Sequence, residues 1–316
     1  MRILVTGITG FAGRATTAAL LERGHEVHGL ARGGEVTVAG VPAARVAQVD
    51  VVDAAAVARA VAAVQPEGIV HLAGVAFAPA AESDPVAAYR ANVEGTLAVL
   101  GAVRGAVPKA RLVLVSSSHV YGAVEPSELP ITEEVPRRPL DVYGASKVAA
   151  EIAALQWARA YGLEVVVARP FNHVGPGQAP EFVCAALARQ LARIEAGRQE
   201  PVLQVGNVDP VRDFSHVRDI AAGYAALLER GHPGQTYNLC AGEGVSIAEI
   251  IAVLRTHARV PVRVWSDPAR RRPVEIPRVI GSFARAKSEV GWQPQISLSD
   301  SLAEVLADWR QRVASE

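Results

Sequence analysis

Three glycines near the start of the chain follow an apolar segment and open an amphipathic one. Residues 2–6 have the continuous apolar character of a buried strand, 11–23 have the pattern of a helix, and 26–30 that of a second strand. The glycines are Gly7, Gly10 and Gly13. Glycine at such a turn lets the backbone approach a diphosphate at a helix N-terminus. An ordinary glycine turn is the alternative, but the strand and helix context favours a dinucleotide-binding unit.

Strand and helix patterns alternate through the first 170 residues. Further strands are predicted at 45–49, 68–72, 111–116 and 164–168, and helices at 53–64, 85–104 and 141–161. Uniformly apolar strands between helices indicate a parallel sheet covered on both faces. The expected fold is therefore α/β, a doubly wound parallel sheet (Rossmann fold) over residues 1–170.

The composition of the sequence changes after Pro170, where short segments rich in Pro, Gly and Arg begin. We expect a smaller C-terminal lobe here, residues 171–316, which mainly binds substrate. Some of its segments, at about 205–240, are expected to return to the main sheet. Helices are predicted at 181–196, 216–230, 246–257 and 299–313, with a strand at 235–239.

Composition narrows the classes of partner. Lys plus Arg and Asp plus Glu both total 32, so the formal charge is zero and nothing favours nucleic acid or an anionic membrane. No apolar run approaches the length of a membrane span, and no charged leader precedes the first strand, which predicts a soluble cytoplasmic protein. Cys184 and Cys240 are expected to be buried free thiols. The histidines show no metal-ligand spacing, so no metal site is predicted.

A tyrosine and a lysine four residues apart carry the strongest chemical signal. Tyr143 and Lys147 share a helix face, and the ammonium charge is expected to lower the phenol pKa from about 10 toward neutrality. Ser117 lies where a buried strand ends, at the edge where ligands of this fold bind. We expect Ser117 to hydrogen-bond a substrate carbonyl, Tyr143 to exchange the proton, and Lys147 to hold the tyrosine and the nicotinamide ribose. Each of these residues alone could be an ordinary surface residue or a helix cap. The three together indicate catalysis.

The end of the second strand bears on cofactor choice. A carboxylate there would hold the ribose hydroxyls of NAD, but the sequence has Ala31 followed by Arg32. A guanidinium suits the 2′-phosphate of NADP, so NADP(H) is favoured. If Arg32 is instead solvated and Glu35 or Asp50 serves the adenosine, NAD(H) is the cofactor.

These motifs resemble those of the extended short-chain dehydrogenase/reductases that act on nucleotide sugars, and the match runs along nearly the whole chain. It includes His71-Leu-Ala-Gly, Asn92-Val-Glu-Gly-Thr and Arg169-Pro-Phe-Asn-His-Val-Gly-Pro. The resemblance implies a homodimer and a site in which Ser118 joins Ser117 at the substrate. It also implies these further cofactor contacts: Phe11, Asp50, Val51, Leu72, Ala73 and Asn92.

Within this family the second lobe resembles the GDP-mannose branch. By that resemblance Asn172 and Arg212 would hold the substrate diphosphate, while Arg272 and Glu275 would grip the nucleoside ribose. Guanidinium forks suit phosphate, and carboxylates suit hydroxyls. The alternatives are a buried ion pair of Arg212 with Asp213, and a solvated basic turn at 270–272.

The resemblance implies an NADPH-dependent reductase of a 4-keto-6-deoxy nucleotide sugar, in this branch GDP-4-keto-6-deoxy-D-mannose reduced to GDP-D-rhamnose. Related 4,6-dehydratases have an acid where this chain has His119, preceded by Ser118. A histidine can act as a base, so a dehydratase stays an alternative, as does a nucleotide-sugar 4-epimerase. A noncatalytic dinucleotide sensor would not need Ser117, Tyr143 and Lys147 together.

Overall fold

A seven-stranded parallel sheet forms the centre of the fold. The computed structural model describes residues 1–33, 37–267, 269 and 276–316. In chain order its strands are β1 (Arg2–Thr6), β2 (Glu26–Ala31), β3 (Val46–Gln48), β4 (Gly68–His71), β5 (Arg111–Val115), β6 (Val165–Pro170), β7 (Asn172–Val174), β8 (Val202–Val205), β9 (Val211–Arg212), β10 (Phe214–His216), β11 (Thr236–Leu239), β12 (Val245–Ser246), β13 (Arg263–Ser266) and β14 (Arg278–Val279). The main sheet has the order β11-β6-β5-β4-β1-β2-β3. The predicted doubly wound parallel sheet is confirmed.

Helices cover both faces of this sheet. In chain order they are α1 (Phe11–Glu22), α2 (Ala54–Val64), α3 (Ala78–Ser83), α4 (Pro85–Tyr89), α5 (Gly95–Ala106), α6 (Val142–Tyr161), α7 (Val183–Glu195), α8 (Val217–Arg230), α9 (Ile247–Thr256), α10 (Ala284–Val290) and α11 (Leu298–Ser315). Helices α1 and α8 pack on one face, and α2, α5 and α6 on the other. Because both faces are buried, the strands need continuous apolar sequence rather than alternation.

The residues after β6 divide between the two lobes. Strand β11 pairs with β6 in parallel, so the segment after α8 extends the main sheet. Helices α7, α9 and α11 instead enclose a second apolar core together with β8. The two-stranded sheet of β7 and β10 contributes Val174 and Phe214 to that second core.

The long helix predicted at 85–104 is interrupted. Between α4 and α5 the structure has a π-helical turn at Arg90–Glu94. Such turns are rare and concentrate at functional sites. This one presents Asn92, which is buried, toward the loop that follows β4.

None of the helices among the described residues is both long enough and apolar enough to cross a membrane.

Candidate active site

The serine segment follows β5 at the carboxyl edge of the main sheet. Ser117 is buried and caps a short 3-10 turn over Ser118–Tyr121, where its Oγ accepts a hydrogen bond of 3.2 Å from the amide of His119. The Ser117 hydroxyl also acts on the phenol of Tyr143, whose pKa it tends to lower. The turn holds the hydroxyl at the strand end, and Ser118 is buried beside it.

Helix α6 brings the tyrosine and the lysine to the same place. Asp141 caps the helix, since its Oδ1 accepts the amide of Gly144 at 2.6 Å. Both Tyr143 and Lys147 are buried, and Nζ of Lys147 lies 5.9 Å from the centre of the tyrosine ring. The ammonium donates to the carbonyl oxygen of Val115 at 3.0 Å. Ser117, Tyr143 and Lys147 therefore form one cluster where β5 meets α6.

Burial governs the titration of this cluster. It raises the pKa of Tyr143 to about 12, against the opposing effect of the Ser117 hydrogen bond. The expected lowering of the phenol pKa toward neutrality is therefore wrong for this geometry. Burial also lowers the pKa of Lys147 to about 8, with Glu151 acting in the opposite direction. The tyrosine therefore stays protonated at neutral pH, and the lysine is the member of the cluster whose pKa lies nearer to neutrality.

The glycine turn fits a dinucleotide diphosphate. Gly7 has φ +70° and approaches the loop after β4 so closely that a β-carbon would stand 3.0 Å from the amide nitrogen of Ala73. A β-carbon on Gly13 would meet the carbonyl oxygen of Gly7 at 2.2 Å. Helix α1 begins after Gly10, which has no side chain to cap the first amides. This cradle and an uncapped helix N-terminus suit an anionic group.

The other residues predicted at the cofactor lie along the same edge of the sheet. Leu72 and Ala73 follow β4, and the amide of Ala73 donates to Thr6 Oγ1 at 3.1 Å. Asp50 and Val51 follow β3, where Asp50 Oδ1 accepts the amide of Val52.

Asn92 and Arg32, two further residues predicted at the cofactor, differ in their contacts within the protein. The amide of Asn92 accepts from the backbone of Val75 and donates to Val75 and to Ser146 Oγ, so it braces the active-site helix. Arg32 follows β2 and is exposed, and it has no hydrogen bond or ion pair within the described part of the chain.

The substrate residues predicted in the second lobe are partly described. Asn172 begins β7 and donates to the carbonyl oxygen of Asp213 at 3.2 Å, and Arg212 lies half-buried in β9. The Asp213 carboxylate accepts three backbone amides, from Ala241, Gly242 and Gly281. Burial raises its pKa to about 6. Arg272 and Glu275 lie outside the described residues.

Sequence reasoning missed a buried polar network behind the serine strand. Glu151, one helical turn after Lys147, is fully buried and binds Arg169 through two bonds of 2.8 and 2.7 Å. It also accepts a bond of 2.5 Å from Ser116. Arg169 in turn donates to the hydroxyl of Tyr121. The Lys147 to Glu151 spacing on one helix face is the signal that points to this network.

His119 forms a second unpredicted pair beside the tyrosine. Its Nδ1 lies 2.7 Å from Oδ2 of Asp141, and its ring meets that of Tyr143 edge-on with centroids 5.2 Å apart. The residue at the position of the dehydratase acid is thus a histidine held by the carboxylate that caps α6.

Among the described residues, no group of three or more His, Cys, Asp or Glu side chains could hold a metal ion. Both cysteines are buried and free, which confirms that prediction.

Comparisons with known proteins place this site in a family. The family model for GDP-mannose 4,6 dehydratase matches residues 4–305. GDP-6-deoxy-D-mannose reductase of Pseudomonas aeruginosa is 43% identical over 79% of this chain and 83% of its own. UDP-glucose 4-epimerase of Corynebacterium glutamicum is 31% identical over 93% and 91%. The solved structure of RMD from Pseudomonas aeruginosa complexed with NADPH has a TM-score of 0.86 at 36% identity, covering 98% of this chain and 99% of that one.

Fold, glycine turn and relatives together define a nicotinamide-dependent oxidoreductase of the extended short-chain dehydrogenase/reductase class. The chain belongs to the GDP-mannose 4,6-dehydratase family.

Proposed function

We propose that this protein is an NADPH-dependent reductase that converts GDP-4-keto-6-deoxy-D-mannose to GDP-D-rhamnose. The observation that carries the proposal is the cluster in which the Ser117 hydroxyl acts on the Tyr143 phenol and Nζ of Lys147 lies 5.9 Å from the centre of the tyrosine ring. Carbonyl reduction needs a hydrogen-bond donor at the carbonyl oxygen and a group that gives a proton to that oxygen. The Ser117 and Tyr143 hydroxyls can fill these two roles. The 43% identity to GDP-6-deoxy-D-mannose reductase supports the choice of sugar.

Each residue of the cluster has a distinct task. Bound NADPH supplies the hydride that reduces carbon 4. Ser117 donates a hydrogen bond to the carbonyl oxygen and stabilises the charge that develops there. Tyr143, whose pKa of about 12 keeps it protonated, gives its proton to that oxygen. Lys147 stabilises the resulting phenolate and holds the ribose next to the nicotinamide.

Arg32 supports the preference for NADPH. It is an exposed guanidinium directly after β2, where the adenosine ribose of a dinucleotide lies in this fold. A relative of high structural similarity was solved with NADPH. Another neighbour, UDP-glucose 4-epimerase of Thermus thermophilus, was solved with NAD at 30% identity, so the class itself accepts both.

The bound nucleotide sugar would extend from the small lobe to the cluster of Ser117, Tyr143 and Lys147. Arg212 and Asn172 are assigned to its diphosphate, because a guanidinium fork and an amide can both donate to phosphate oxygens. Arg272 and Glu275, assigned to the nucleoside ribose, rest on the family resemblance.

We also propose a homodimer formed through α4, α5 and α6. Five large apolar side chains are exposed on these helices: Val86, Tyr89, Leu97, Ile152 and Tyr161. Such a concentration on neighbouring helices is typical of a subunit interface.

The direct test supplies GDP-mannose that a known dehydratase has already converted to the 4-keto-6-deoxy sugar. With NADPH, the protein should oxidise one cofactor per sugar, and nuclear magnetic resonance of the product should show GDP-D-rhamnose. Formation of the other carbon 4 epimer would change the product assignment, and failure to consume NADPH would refute the function.

A further inference from the structure

Two buried polar atoms, one in the loop after β7 and one in β10, have no hydrogen-bond partner among the described residues. They are Oε1 of Gln178 and Oγ of Ser215, in residues that are 5% and 2% exposed. An unpaired buried polar atom costs free energy, so such atoms in a native fold call for an explanation. Both residues lie in the segments that join the two lobes.

The position of Gln178 is fixed from the glycine-turn side. Its Nε2 donates to the carbonyl oxygen of His173 at 2.8 Å. The ring of His173 is parallel to that of Phe11, with centroids 5.9 Å apart, and Phe11 directly follows Gly10. A β-carbon added to Gly177 would lie 3.8 Å from the Phe11 ring. Gln178 is therefore next to the turn assigned to the diphosphate.

The same segment reaches toward the catalytic tyrosine at its other end. Phe182 meets Phe77 edge-on with centroids 5.4 Å apart. Val75 and Ala78, which stand on either side of Phe77 in the chain, pack against the apolar cluster that contains Tyr143. Residues 173–182 thus span the crevice between the glycine turn and Tyr143. If a dinucleotide placed its diphosphate at that turn and its nicotinamide at Tyr143, residues of this stretch would be beside it.

Ser215 faces the same side. In the parallel pair of β7 and β10 it is in register with His173, so the two side chains share a face. The opposite face carries Val174 and Phe214, which belong to the core of the small lobe. It also carries Asn172, assigned above to the substrate diphosphate. Ser215 therefore lies on the dinucleotide side.

The chemistry of these two atoms selects the partner. An amide oxygen accepts hydrogen bonds only, so Gln178 Oε1 requires a donor and would repel a phosphate oxygen. The Ser215 hydroxyl can donate to a carbonyl. A primary carboxamide offers an N–H donor and a carbonyl acceptor side by side.

We propose that Gln178 and Ser215 bind the carboxamide of the nicotinamide and so orient the ring that faces the substrate. The proposal rests on the proposed function only in requiring a nicotinamide dinucleotide. It does not depend on the identity of the sugar.

Three ligands test the proposal without turnover. They are NADPH, its reduced 3-acetylpyridine analogue, in which a methyl replaces the amide NH2, and 2′-phospho-ADP-ribose, which lacks the ring. Dissociation constants are measured by calorimetry for the wild-type protein and for Gln178→Met, Ser215→Ala and Gln293→Met. Gln293 is exposed after α10, next to Trp292 of the main-sheet core, and serves as the matched control.

The two variants should leave different signatures. Gln178→Met should weaken NADPH binding about five- to tenfold and abolish the preference of the wild type for NADPH over the acetylpyridine analogue. Ser215→Ala should weaken both of these ligands by a similar few-fold, because both keep the carbonyl. Neither variant should change binding of 2′-phospho-ADP-ribose, and Gln293→Met should change nothing.

Other results would overturn the proposal. Equal weakening of all three ligands by Gln178→Met would show that the residue only holds the loop. Unchanged dinucleotide binding with a raised KM for the nucleotide sugar would place the pair at the sugar instead. If Gln178→Met does not fold, Ser215→Ala, which removes a single oxygen, still decides whether the carbonyl is bound.

Discussion

Nζ of Lys147 donates a hydrogen bond to the carbonyl oxygen of Val115 at 3.0 Å. This bond ties α6, which carries Tyr143, to the end of β5, from which Ser117 emerges. The lysine is therefore part of the frame that fixes the serine and tyrosine hydroxyls, besides being a charge beside the tyrosine. Its burial makes that charge sensitive to pH in the range where the enzyme would work.

The rate should fall on the alkaline side because of Lys147. Its pKa is lowered to about 8, so the protein loses this positive charge as pH rises through about 8, and kcat/KM should decline above that value. Tyr143, with a pKa of about 12, stays protonated in this range and causes no change of kcat/KM with pH. Lys147→Arg, which keeps its charge, should move the alkaline limb upward by more than one pH unit. If the alkaline decline of kcat/KM stays at the same pH in a folded Lys147→Arg variant, the titrating group is not Lys147.

Tyr143→Phe should remove the proton donor with little change in volume. We expect turnover to fall by about two orders of magnitude or more, while dinucleotide affinity stays within a few-fold of wild type. Steady-state kinetics and calorimetry give the two quantities. Near-normal turnover would mean that another group supplies the proton.

Arg32→Asp should shift cofactor use toward NADH. The change removes a guanidinium and adds a carboxylate that repels the 2′-phosphate, so the ratio of kcat/KM for NADPH to that for NADH should drop by about 10- to 100-fold. Arg45→Asp is the matched control, since Arg45 is also exposed beside β3 but pairs with Glu26. An equal effect of both substitutions would indicate general electrostatics rather than a phosphate contact.

The main sheet was predictable because its strands are buried on both faces and therefore consist of unbroken apolar runs. β1, β4 and β5 lie within a residue of their predicted ends for this reason. The shorter strands of the second lobe, such as β9 and β14 with two residues each, are defined by pairing partners distant in sequence. Local patterns carry no signal for such pairs.

The candidate site shows the same division. The spacing of Tyr143 and Lys147 predicted a shared helix face, which the structure has. The direction of the Tyr143 pKa shift depends on how deeply tertiary packing buries the hydroxyl, and spacing alone pointed the wrong way. The pairing of His119 with Asp141, 22 residues apart, likewise depends on the turn after β5 meeting the start of α6.

That pairing bears on the difference between reduction and dehydration. Dehydration of GDP-mannose requires removal of hydride at carbon 4, removal of a proton at carbon 5 and loss of water at carbon 6. The position of the dehydratase acid holds His119, which is an imidazole and not a carboxylic acid. The neighbouring carboxylate, Asp141, is engaged by His119 Nδ1 and by the amide of Gly144 at the start of α6. Reduction of a ready-made keto sugar needs none of those later steps.

Supplied with GDP-mannose and NADP⁺ alone, the protein should therefore form no 4-keto-6-deoxy product, as followed by mass spectrometry. His119→Ala should leave the rate of keto-sugar reduction within a few-fold of wild type, because the hydride and the Tyr143 proton do not pass through the imidazole. Efficient conversion of GDP-mannose, abolished by His119→Ala while keto-sugar reduction persists, would instead identify His119 as the base of a dehydratase.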